Sequence, residues 1–388
     1  MDSGRFAIGI AGMGAAGQAF IPALLRHAAF DWVALAEPAQ AVRERLQREH
    51  GVAGYASVAE LLRHPGLAVV YLATPTALHA EQVIQVAAAG KHVLVEKPMA
   101  ITLAEARGMV TAAERAGVVL LVGHSHSYDA PIARMRELID AGELGRVRMV
   151  NTWCFSDWVY RPRRADELIT AQGGGVTFRQ GAHQFDVIRL LCGGRARSVR
   201  AKTFDWNPQR RAIGAHIAFV DFEDGPAATA VYNGYGGLSS MDLCFDISEW
   251  GLHQPLALRQ RRAVPVAGMT ADDELQAKQA RAQGAIASRA PYQPFFGLTV
   301  VSCEHGDIRQ SPTGLLVDSR GEQRVIDVAL DRSPRELVLD ELHAALSTLV
   351  PALHDGRWGL ANLELCVAAI ESSRSGQELR LHEQVATA

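Results

Sequence analysis

The first third of the chain alternates between short apolar runs and longer segments with helical periodicity. Short apolar runs are typical of strands that a parallel sheet buries on both faces, whereas the longer segments have the spacing of amphipathic helices. Strands are predicted at Phe6–Ala11, Trp32–Ala36, Ala68–Ala73, Val93–Val95 and Val118–Val122. A first helix is predicted to run through about Leu25, and further helices are predicted at 80–89 and 102–116. This alternation predicts an α/β domain with a doubly wound parallel sheet over residues 1–124.

From Gly123 onward the hydrophobic pattern changes, and residues 125–388 form a second predicted domain. Apolar and polar positions alternate in three predicted strands, Val147–Phe155, Ala215–Phe222 and Thr229–Asn233. Helices are predicted at 131–141, 334–354 and 360–375. A polar helical segment, 271–287, begins an insertion that covers 271–296. The sequence leaves two roles open for this insertion, a lid and an oligomer contact.

Composition and charge exclude several classes of protein. The chain has 388 residues with 48% hydrophobic and 21% charged residues, and its formal net charge is −3. A globular protein of this kind, without a basic stripe, is not expected to bind nucleic acid. No apolar run approaches the roughly 20 residues of a membrane span, and no signal peptide is expected. The five cysteines are too scattered for a disulfide framework, which fits a cytoplasmic protein: Cys154, Cys192, Cys244, Cys303 and Cys366.

A glycine-rich loop, Gly12-Met13-Gly14-Ala15-Ala16-Gly17, connects the first predicted strand to the first predicted helix. In this context, G-x-G-x-x-G predicts a Rossmann dinucleotide site whose pyrophosphate lies at the helix N-terminus. The second strand ends at Glu37, 20 residues after Gly17. A carboxylate there binds the adenosine ribose hydroxyls and repels a 2′-phosphate, so we expect NAD in preference to NADP.

Polar residues follow two further strands at the edge where α/β proteins bind ligands. Thr74, Pro75 and Thr76 form a turn that can contact the cofactor, and His79 either contacts it too or simply begins a helix. Glu96 and Lys97 end the next strand, because Pro98 cannot continue it. Lys97 can act there as an acid, a base or an electrostatic clamp.

Two groups of basic residues are candidates for substrate binding. His124 and His126 point the same way if their backbone is extended, but a third metal ligand with suitable spacing is missing, so we expect polar substrate contacts and no metal. Arg161, Arg163 and Arg164 form either a solvated loop or an anion-binding loop.

Together these motifs resemble those of the Gfo/Idh/MocA family of nicotinamide-dependent oxidoreductases. The resemblance rests on the glycine loop, Thr74-Pro75 with His79, Glu96-Lys97-Pro98, Gly173-Gly174-Gly175 followed by His183, and a C-terminal helix ending at Gly376. It implies a C-terminal α+β domain built on a large, open, mostly antiparallel sheet. It also implies that Lys97 and His183 lie beside the substrate as the catalytic residues.

Arg179 departs from the family pattern, which has an aspartate four residues after the last glycine and a histidine four residues later. On a single helix, positions i and i+4 share a face, so Arg179 and His183 are expected to project together. An arginine in place of a carboxylate favours an anionic substrate, with Arg179 and the arginines of the 161–164 loop as carboxylate clamps.

Further stretches resemble the branch of the family that contains 4,5-dihydro-4,5-dihydroxyphthalate dehydrogenase: His124–Ser127, Tyr160–Arg164, Thr170–Gly175 and Gly297–Glu304. This resemblance implies NAD-dependent oxidation of a cyclic dihydrodiol dicarboxylate to a catechol, with Lys97 and His183 sharing removal of the hydroxyl proton. A sugar, inositol or sugar-acid dehydrogenase and a non-catalytic NAD(P)-sensing regulator are the alternatives. An open sheet face needs covering, so we expect a homodimer or homotetramer.

Overall fold

A computed structural model of the chain describes residues 5–256, 266, 268–285, 290–348 and 350–387. The chain divides into two compact units, residues 1–124 with 335–363 and residues 125–334 with 364–388. Residues 335–363 were expected in the second domain, so their membership of the first unit corrects the predicted boundaries. The end of the predicted segment 271–287 and part of the insertion 271–296 lie outside the described residues.

A parallel sheet forms the first unit, with the strands β1 (Phe6–Ala11), β2 (Phe30–Ala36), β3 (Ala53–Tyr55), β4 (Val69–Leu72), β5 (His92–Glu96) and β6 (Leu120–Gly123). Their order, β3-β2-β1-β4-β5-β6, is that of a doubly wound sheet. All residues of β4 and the three central residues of β5 are fully buried. Continuous apolar strands therefore lie where the sequence pattern predicts them, and the polar residues that follow them lie at their carboxyl ends.

Among the described residues, five helices lie between successive strands of this sheet along the chain: α1 (Ala15–Arg26), α2 (Gln40–His50), α3 (Val58–Leu61), α4 (His79–Ala88) and α5 (Leu103–Ala116). The start of α5 shows why the helix begins where it does. Thr102 accepts a hydrogen bond from the Glu105 amide, and the Glu105 carboxylate accepts one from the Thr102 amide. This capping box satisfies two amides that the helix cannot pair internally.

The second unit contains a larger sheet, with the strands β7 (Val147–Phe155), β8 (Ala196–Phe204), β9 (Ala215–Phe222), β10 (Ala227–Asn233), β11 (Leu298–Cys303), β12 (Gly306–Ser311), β13 (Gly314–Ser319), β14 (Glu322–Asp327) and β15 (Leu379–Arg380). The nine strands lie in the order β14-β13-β12-β11-β7-β10-β9-β8-β15. Among the described strand pairs of this second sheet, only the β7–β10 pairing is parallel. The mostly antiparallel sheet implied by the resemblance is thereby confirmed.

The remaining helices are α6 (Ala130–Asp140), α7 (Val176–Arg179), α8 (Gly181–Leu191), α9 (Ala271–Ala285), α10 (Pro334–Thr348) and α11 (Gly356–Ser375). Short 3₁₀ turns cover Thr76–Leu78, Trp158–Tyr160, Ala165–Glu167, Thr170–Gln172 and Ser240–Leu243. Helix α8 packs on β7 and β10, and every one of its residues is buried. One face of the central sheet is therefore covered by a helix that carries His183.

The end of α10 and the start of α11 differ from the prediction. Helix α10 ends at Thr348 instead of 354, which is consistent with Pro351 disfavouring helical geometry in the residue before it. Helix α11 starts at Gly356 instead of 360, because the Asp355 carboxylate accepts a hydrogen bond from the Trp358 amide (2.8 Å). Arg26 pairs with Glu336 (3.1 Å), and His27 Nε2 lies 3.0 Å from Asp340 Oδ1, so α10 contacts the C-terminal end of α1 within the first unit.

Candidate active site

The glycine loop of the first unit lies too close to neighbouring backbone for a side chain at two positions and is open at a third. A Cβ on Gly12, where φ is +88°, would lie 2.6 Å from the Ala73 carbonyl oxygen, and one on Gly17 would lie 2.1 Å from the Gly12 carbonyl oxygen. A Cβ on Gly14 would meet no atom within 4 Å. The loop thus leaves room before the N-terminus of α1, which is what a pyrophosphate requires.

Glu37 follows β2 and links this loop to the neighbouring strand. Its carboxylate accepts hydrogen bonds from the Met13 amide (2.9 Å) and the Ala39 amide (3.0 Å). The Arg43 guanidinium donates to the Glu37 carbonyl oxygen (2.6 Å). Glu37 is therefore held at the glycine loop, where its remaining lone pairs suit ribose hydroxyls, and the residues present fit NAD.

Lys97 follows β5 between two anchored neighbours. The Tyr71 hydroxyl donates to Glu96 Oε1 (2.6 Å), and burial raises the Tyr71 pKa well above its usual value, so the phenol stays protonated. On the other side, the Pro98 carbonyl oxygen lies 3.1 Å from His79 Nδ1. The backbone on both sides of Lys97 is thus fixed, and Lys97 itself is partly exposed.

His79 bridges two of the loops that the sequence singles out. Its Nδ1 faces the Pro98 carbonyl, its Nε2 lies 2.9 Å from the Thr74 carbonyl oxygen, and the residue is 1% exposed. The Thr74 hydroxyl donates to Gln82 (2.6 Å), and Thr76 is buried. His79 therefore has a structural role that holds the Thr74-Pro75-Thr76 turn to the segment after Lys97, while its contact with a cofactor stays a prediction.

In the second unit, His183 lies in α8 and is 4% exposed. The adjacent Gln184 fixes the helix, because its amide group donates to the Val231 carbonyl (3.0 Å) and its Oε1 lies 3.0 Å from His216 Nε2. Burial lowers the His216 pKa to about 3, so this ring is neutral and can pair with Gln184 and with Thr177. Gln184 and His216 were not predicted, and their polar character inside an otherwise apolar segment was the available signal.

His126 lies against His183. The two ring centroids are 4.5 Å apart at an interplanar angle of 76°, and the His126 ring stacks on Phe296 with centroids 4.3 Å apart. His126 Nδ1 lies 2.9 Å from Asp129 Oδ2, a carboxylate that is almost completely buried. The second unit therefore brings together two predicted site residues, His126 and His183, with two that were not predicted.

The three arginines of the 161–164 loop all contact groups of the second unit. Arg161 pairs with Asp157 (2.5 Å), and Arg164 pairs with Asp166 (2.6 Å). The Arg163 guanidinium lies 4.2 Å from the centroid of a fully buried tryptophan ring. The loop is thus held by internal partners, and substrate binding by its arginines stays a prediction.

Arg179 does not share a continuous helix with His183, which corrects the prediction. Gln180 has a φ of −119° and separates α7 from α8, so the i, i+4 geometry of one helix does not apply. Arg179 lies 3.7 Å from Asp166, and its charge contributes to the lowered pKa of Glu167, which falls to about 2. Arg179 is therefore part of a charged cluster with the 161–164 loop.

His124 and His126 have different surroundings, contrary to the expected shared direction. Strand β6 ends at Gly123 and a turn follows His126, so the backbone between them does not continue as a strand. His124 is buried in the first unit, where its ring centroid lies 6.3 Å from that of His354. Among the described residues, no group of three or more His, Cys, Asp or Glu side chains is placed to hold a metal ion.

Within the part of the chain that the structure describes, the helices are too short or too polar to cross a membrane.

Comparison with known proteins agrees with this arrangement. Residues 6–124 match the oxidoreductase family profile described as the NAD-binding Rossmann fold of GFO/IDH/MocA, and residues 132–239 match the C-terminal domain of the same family. The chain is 40% identical over 309 residues to 1-carboxy-3-chloro-3,4-dihydroxycyclohexa-1,5-diene dehydrogenase of Comamonas testosteroni, covering 77% of this chain and 76% of that protein.

Two solved structures share the fold over nearly the full chain. A crystal structure from Bordetella bronchiseptica RB50 superposes with a TM-score of 0.89 at 36% identity, covering 97% of this chain and 100% of that one. The WlbA dehydrogenase of Bordetella pertussis, in complex with NADH and UDP-GlcNAcA, superposes with a TM-score of 0.74 at 20% identity, covering 98% and 99%. With its Rossmann unit and its nine-stranded second sheet, the chain belongs to the Gfo/Idh/MocA family of NAD-dependent oxidoreductases.

Proposed function

We propose that this protein oxidises a carboxylated cyclohexadiene diol to the corresponding catechol acid with NAD as the hydride acceptor. The substrate class includes cis-4,5-dihydro-4,5-dihydroxyphthalate, the dicarboxylate implied by the sequence resemblance. Oxidation of one ring hydroxyl gives a hydroxyketone, which tautomerises to the aromatic product. The gain of aromaticity makes the overall reaction favourable.

The observation that carries this proposal is the similarity to the Comamonas testosteroni enzyme. That protein is named for a cyclohexadiene that bears one carboxylate and two adjacent hydroxyls, and the similarity extends over about three quarters of both chains. Fold alone does not determine a substrate. A relative at 40% identity with this coverage is more specific than the fold, because it spans both family domains.

Lys97 and His183 are assigned to removal of the hydroxyl proton. Lys97 follows β5 between the anchored residues Glu96 and Pro98, and His183 lies in a buried helix whose position Gln184 fixes. Either side chain can accept the proton of a hydroxyl whose carbon loses a hydride, and general-base catalysis of this kind contributes about 10²–10⁴ to the rate. NAD, when bound, supplies the hydride acceptor.

The substrate carboxylates are assigned to the basic residues of the second unit, Arg179 and the arginines of the 161–164 loop. Arg161 and Arg164 pair with carboxylates at 2.5 and 2.6 Å, and Arg179 lies 3.7 Å from Asp166. Each of them therefore binds a substrate anion only by sharing or exchanging a partner. One carboxylate is thus easier to accommodate than two, and the dicarboxylate is tested beside a monocarboxylate.

NADH formation by the purified protein tests the proposal. The substrates are the cis-4,5-dihydrodiol of phthalate, a cyclohexadiene diol with one carboxylate, and inositol, each with NAD and with NADP. We expect turnover of a diol acid with NAD and none of inositol. Turnover of inositol alone would mean that the substrate is a polyol and not a diol acid. Tight NAD binding without turnover of any substrate would favour a regulator. Arg179→Gln should raise the KM for the diol acid, with Arg324→Gln, an exposed arginine of β14, as the control.

A further inference from the structure

Asp129 and His126 form a buried pair that lies next to His183 in the second unit. The His126 side chain is 14% exposed and the Asp129 side chain 3%, and Nδ1 and Oδ2 are 2.9 Å apart. Asp129 is also the residue before α6, whose N-terminus favours a negative charge. The pair is therefore an ordered carboxylate–imidazole unit within the fold.

The chemistry of the pair determines which nitrogen of His126 carries the hydrogen. An ionised carboxylate can only accept hydrogen bonds, so the hydrogen must lie on Nδ1. In the neutral ring, Nε2 then has a lone pair and acts as an acceptor. An aspartate beside a histidine is a known way to hold an imidazole in one tautomer and orientation.

The His126 ring is held in place from two further directions. Phe296 stacks on it at 25° between the ring planes, and the His183 ring packs against it with centroids 4.5 Å apart. The His183 and Phe296 rings are also in contact, at 5.1 Å. Two imidazoles in contact can serve two hydroxyls on neighbouring ring carbons, one imidazole for each.

Arg179 is not an alternative acceptor. A guanidinium has five N–H donors and no acceptor, so an arginine cannot accept the hydrogen of a hydroxyl group. In this chain it pairs with Asp166. Asp129, acting through His126, supplies an acceptor close to His183 instead.

We propose that His126 accepts the hydrogen of the substrate hydroxyl adjacent to the one that is oxidised, and that Asp129 is the positioning residue that fixes His126 in the accepting tautomer. The proposal rests on the proposed function, because it assumes a substrate with two neighbouring hydroxyls. It makes the pair a determinant of specificity for vicinal diols.

The first test compares a diol acid with an analogue that lacks the hydroxyl adjacent to the reacting one. Asp129→Asn presents an amide donor to Nδ1 and so favours the opposite tautomer. For this variant we expect kcat/KM for the diol to fall at least about tenfold, the scale of one lost hydrogen bond, with the single-hydroxyl analogue near its wild-type value. Equal loss on both substrates, or no loss on either, would overturn the proposal.

Asp340→Asn is the matched control, because Asp340 forms a similar contact with His27 at 3.0 Å in the first unit. This variant should leave the ratio of the two kcat/KM values unchanged. NAD binding and thermal unfolding of Asp129→Asn show whether the variant is folded.

A second measurement does not depend on activity. The ¹⁵N shifts of the histidine rings report the tautomer of His126, whose signals are assigned by their absence in His126→Asn. We expect hydrogen on Nδ1 in the wild-type protein and on Nε2 in Asp129→Asn. Hydrogen on Nε2 in the wild-type protein would overturn the role of Asp129. If the wild-type protein oxidises neither substrate, the proposed function has failed, and the ring shifts still decide the arrangement of the pair.

Discussion

The Lys278 ammonium group on α9 lies 2.6 Å from the Glu167 carboxylate. Burial would raise the Glu167 pKa, but the charges of Lys278 and Arg163 outweigh it and lower that pKa to about 2. Burial also lowers the Lys278 pKa to about 8, because the negative charge of Glu167 offsets only part of the effect of burial. The ion pair therefore ties α9 to the segment after the 161–164 loop at neutral pH, with a second tie from Arg210 to Glu274 (2.6 Å).

Helix α9 should dock more firmly as the pH rises from 7 to 9. The Lys278 pKa is about 8 in the folded protein and 10.5 in the free side chain, so above pH 8 the undocked helix keeps a proton that the docked helix has lost, and docking gains stability. We expect the protection of α9 amides against hydrogen exchange, corrected for intrinsic rates, to rise between pH 7 and 9 in the wild-type protein. Lys278→Met should show the same protection at both values, because it has no proton to lose. Glu143→Gln, which removes an exposed ion pair with Arg324, serves as the control. A fall in the protection of the wild-type protein over this range would contradict the lowered Lys278 pKa.

Replacement of Glu37 by glutamine should weaken discrimination against NADP. The change removes the negative charge next to the ribose site, and Arg43 nearby can then attract a 2′-phosphate. We expect the ratio of kcat/KM for NAD to that for NADP to fall about tenfold, equivalent to ~1.4 kcal/mol. Steady-state kinetics with both cofactors measure it, and Glu44→Gln, an exposed change in α2, should leave the ratio unaltered. An unchanged ratio in Glu37→Gln would remove Glu37 from cofactor selection.

His216 should make the fold less stable in mild acid. Burial lowers its pKa from 6.5 to about 3, so between these values the unfolded chain binds a proton that the folded chain does not. Stability is therefore highest above pH 6.5 and falls as the pH falls, by up to about 1.4 kcal/mol per pH unit for this one group.

Urea unfolding at pH 5 to 7 of the wild-type protein and of His216→Asn isolates this contribution. Burial also lowers the pKa of His92, but that effect is common to both proteins. The variant should be less stable at pH 7, because it disturbs the contacts of Gln184 and Thr177, yet its stability should vary less with pH. Parallel curves for the two proteins would contradict the assignment.

The face of the nine-stranded sheet opposite α8 is the surface through which we propose a homodimer or homotetramer. Val231 of β10 lies in register with Trp153 of β7 and Ile217 of β9, which are 42% and 51% exposed. Phe219 lies farther along β9 on the same face and is 49% exposed. Apolar side chains that lie side by side on an uncovered sheet favour association.

Light scattering after size exclusion tests this surface. The wild-type protein should have the mass of two or four chains, and Ile217→Glu should shift it towards one chain, because a charge would be buried at the contact. Leu25→Glu changes another exposed apolar residue, in α1, and should have no such effect. A monomeric wild-type protein would rule out the proposed assembly.

Local patterns predicted much of the first unit. The glycine loop, Glu37 and the Glu96-Lys97-Pro98 segment each depend on a few consecutive residues, and the structure has strands and turns at these positions. His126 and Asp129 are only three residues apart, so their pairing also left a signal in the sequence.

Long-range pairing could not be predicted in the same way. The arginines of the 161–164 loop suggest an anion site in isolation, but Arg161 also lies 3.9 Å from Glu249, an acid that is distant in the sequence. Lys278 and Glu167 are 111 residues apart, and no periodicity connects them. The interruption at Gln180 was equally hidden, because the residues around it are compatible with one helix.

NADH formation by wild-type and Lys97→Met protein, compared in a single turnover with the diol acid, tests the central claim most directly. Fluorescence titration with NAD checks that the variant still binds cofactor, and Lys91→Ala, before the amino end of β5, is the control. We predict that Lys97→Met binds NAD but forms NADH more slowly than the wild-type protein by a factor of about a hundred or more, because a hundredfold is the smallest loss expected when a general base is removed. Formation of NADH at the wild-type rate by this variant would contradict the assignment of Lys97 to catalysis.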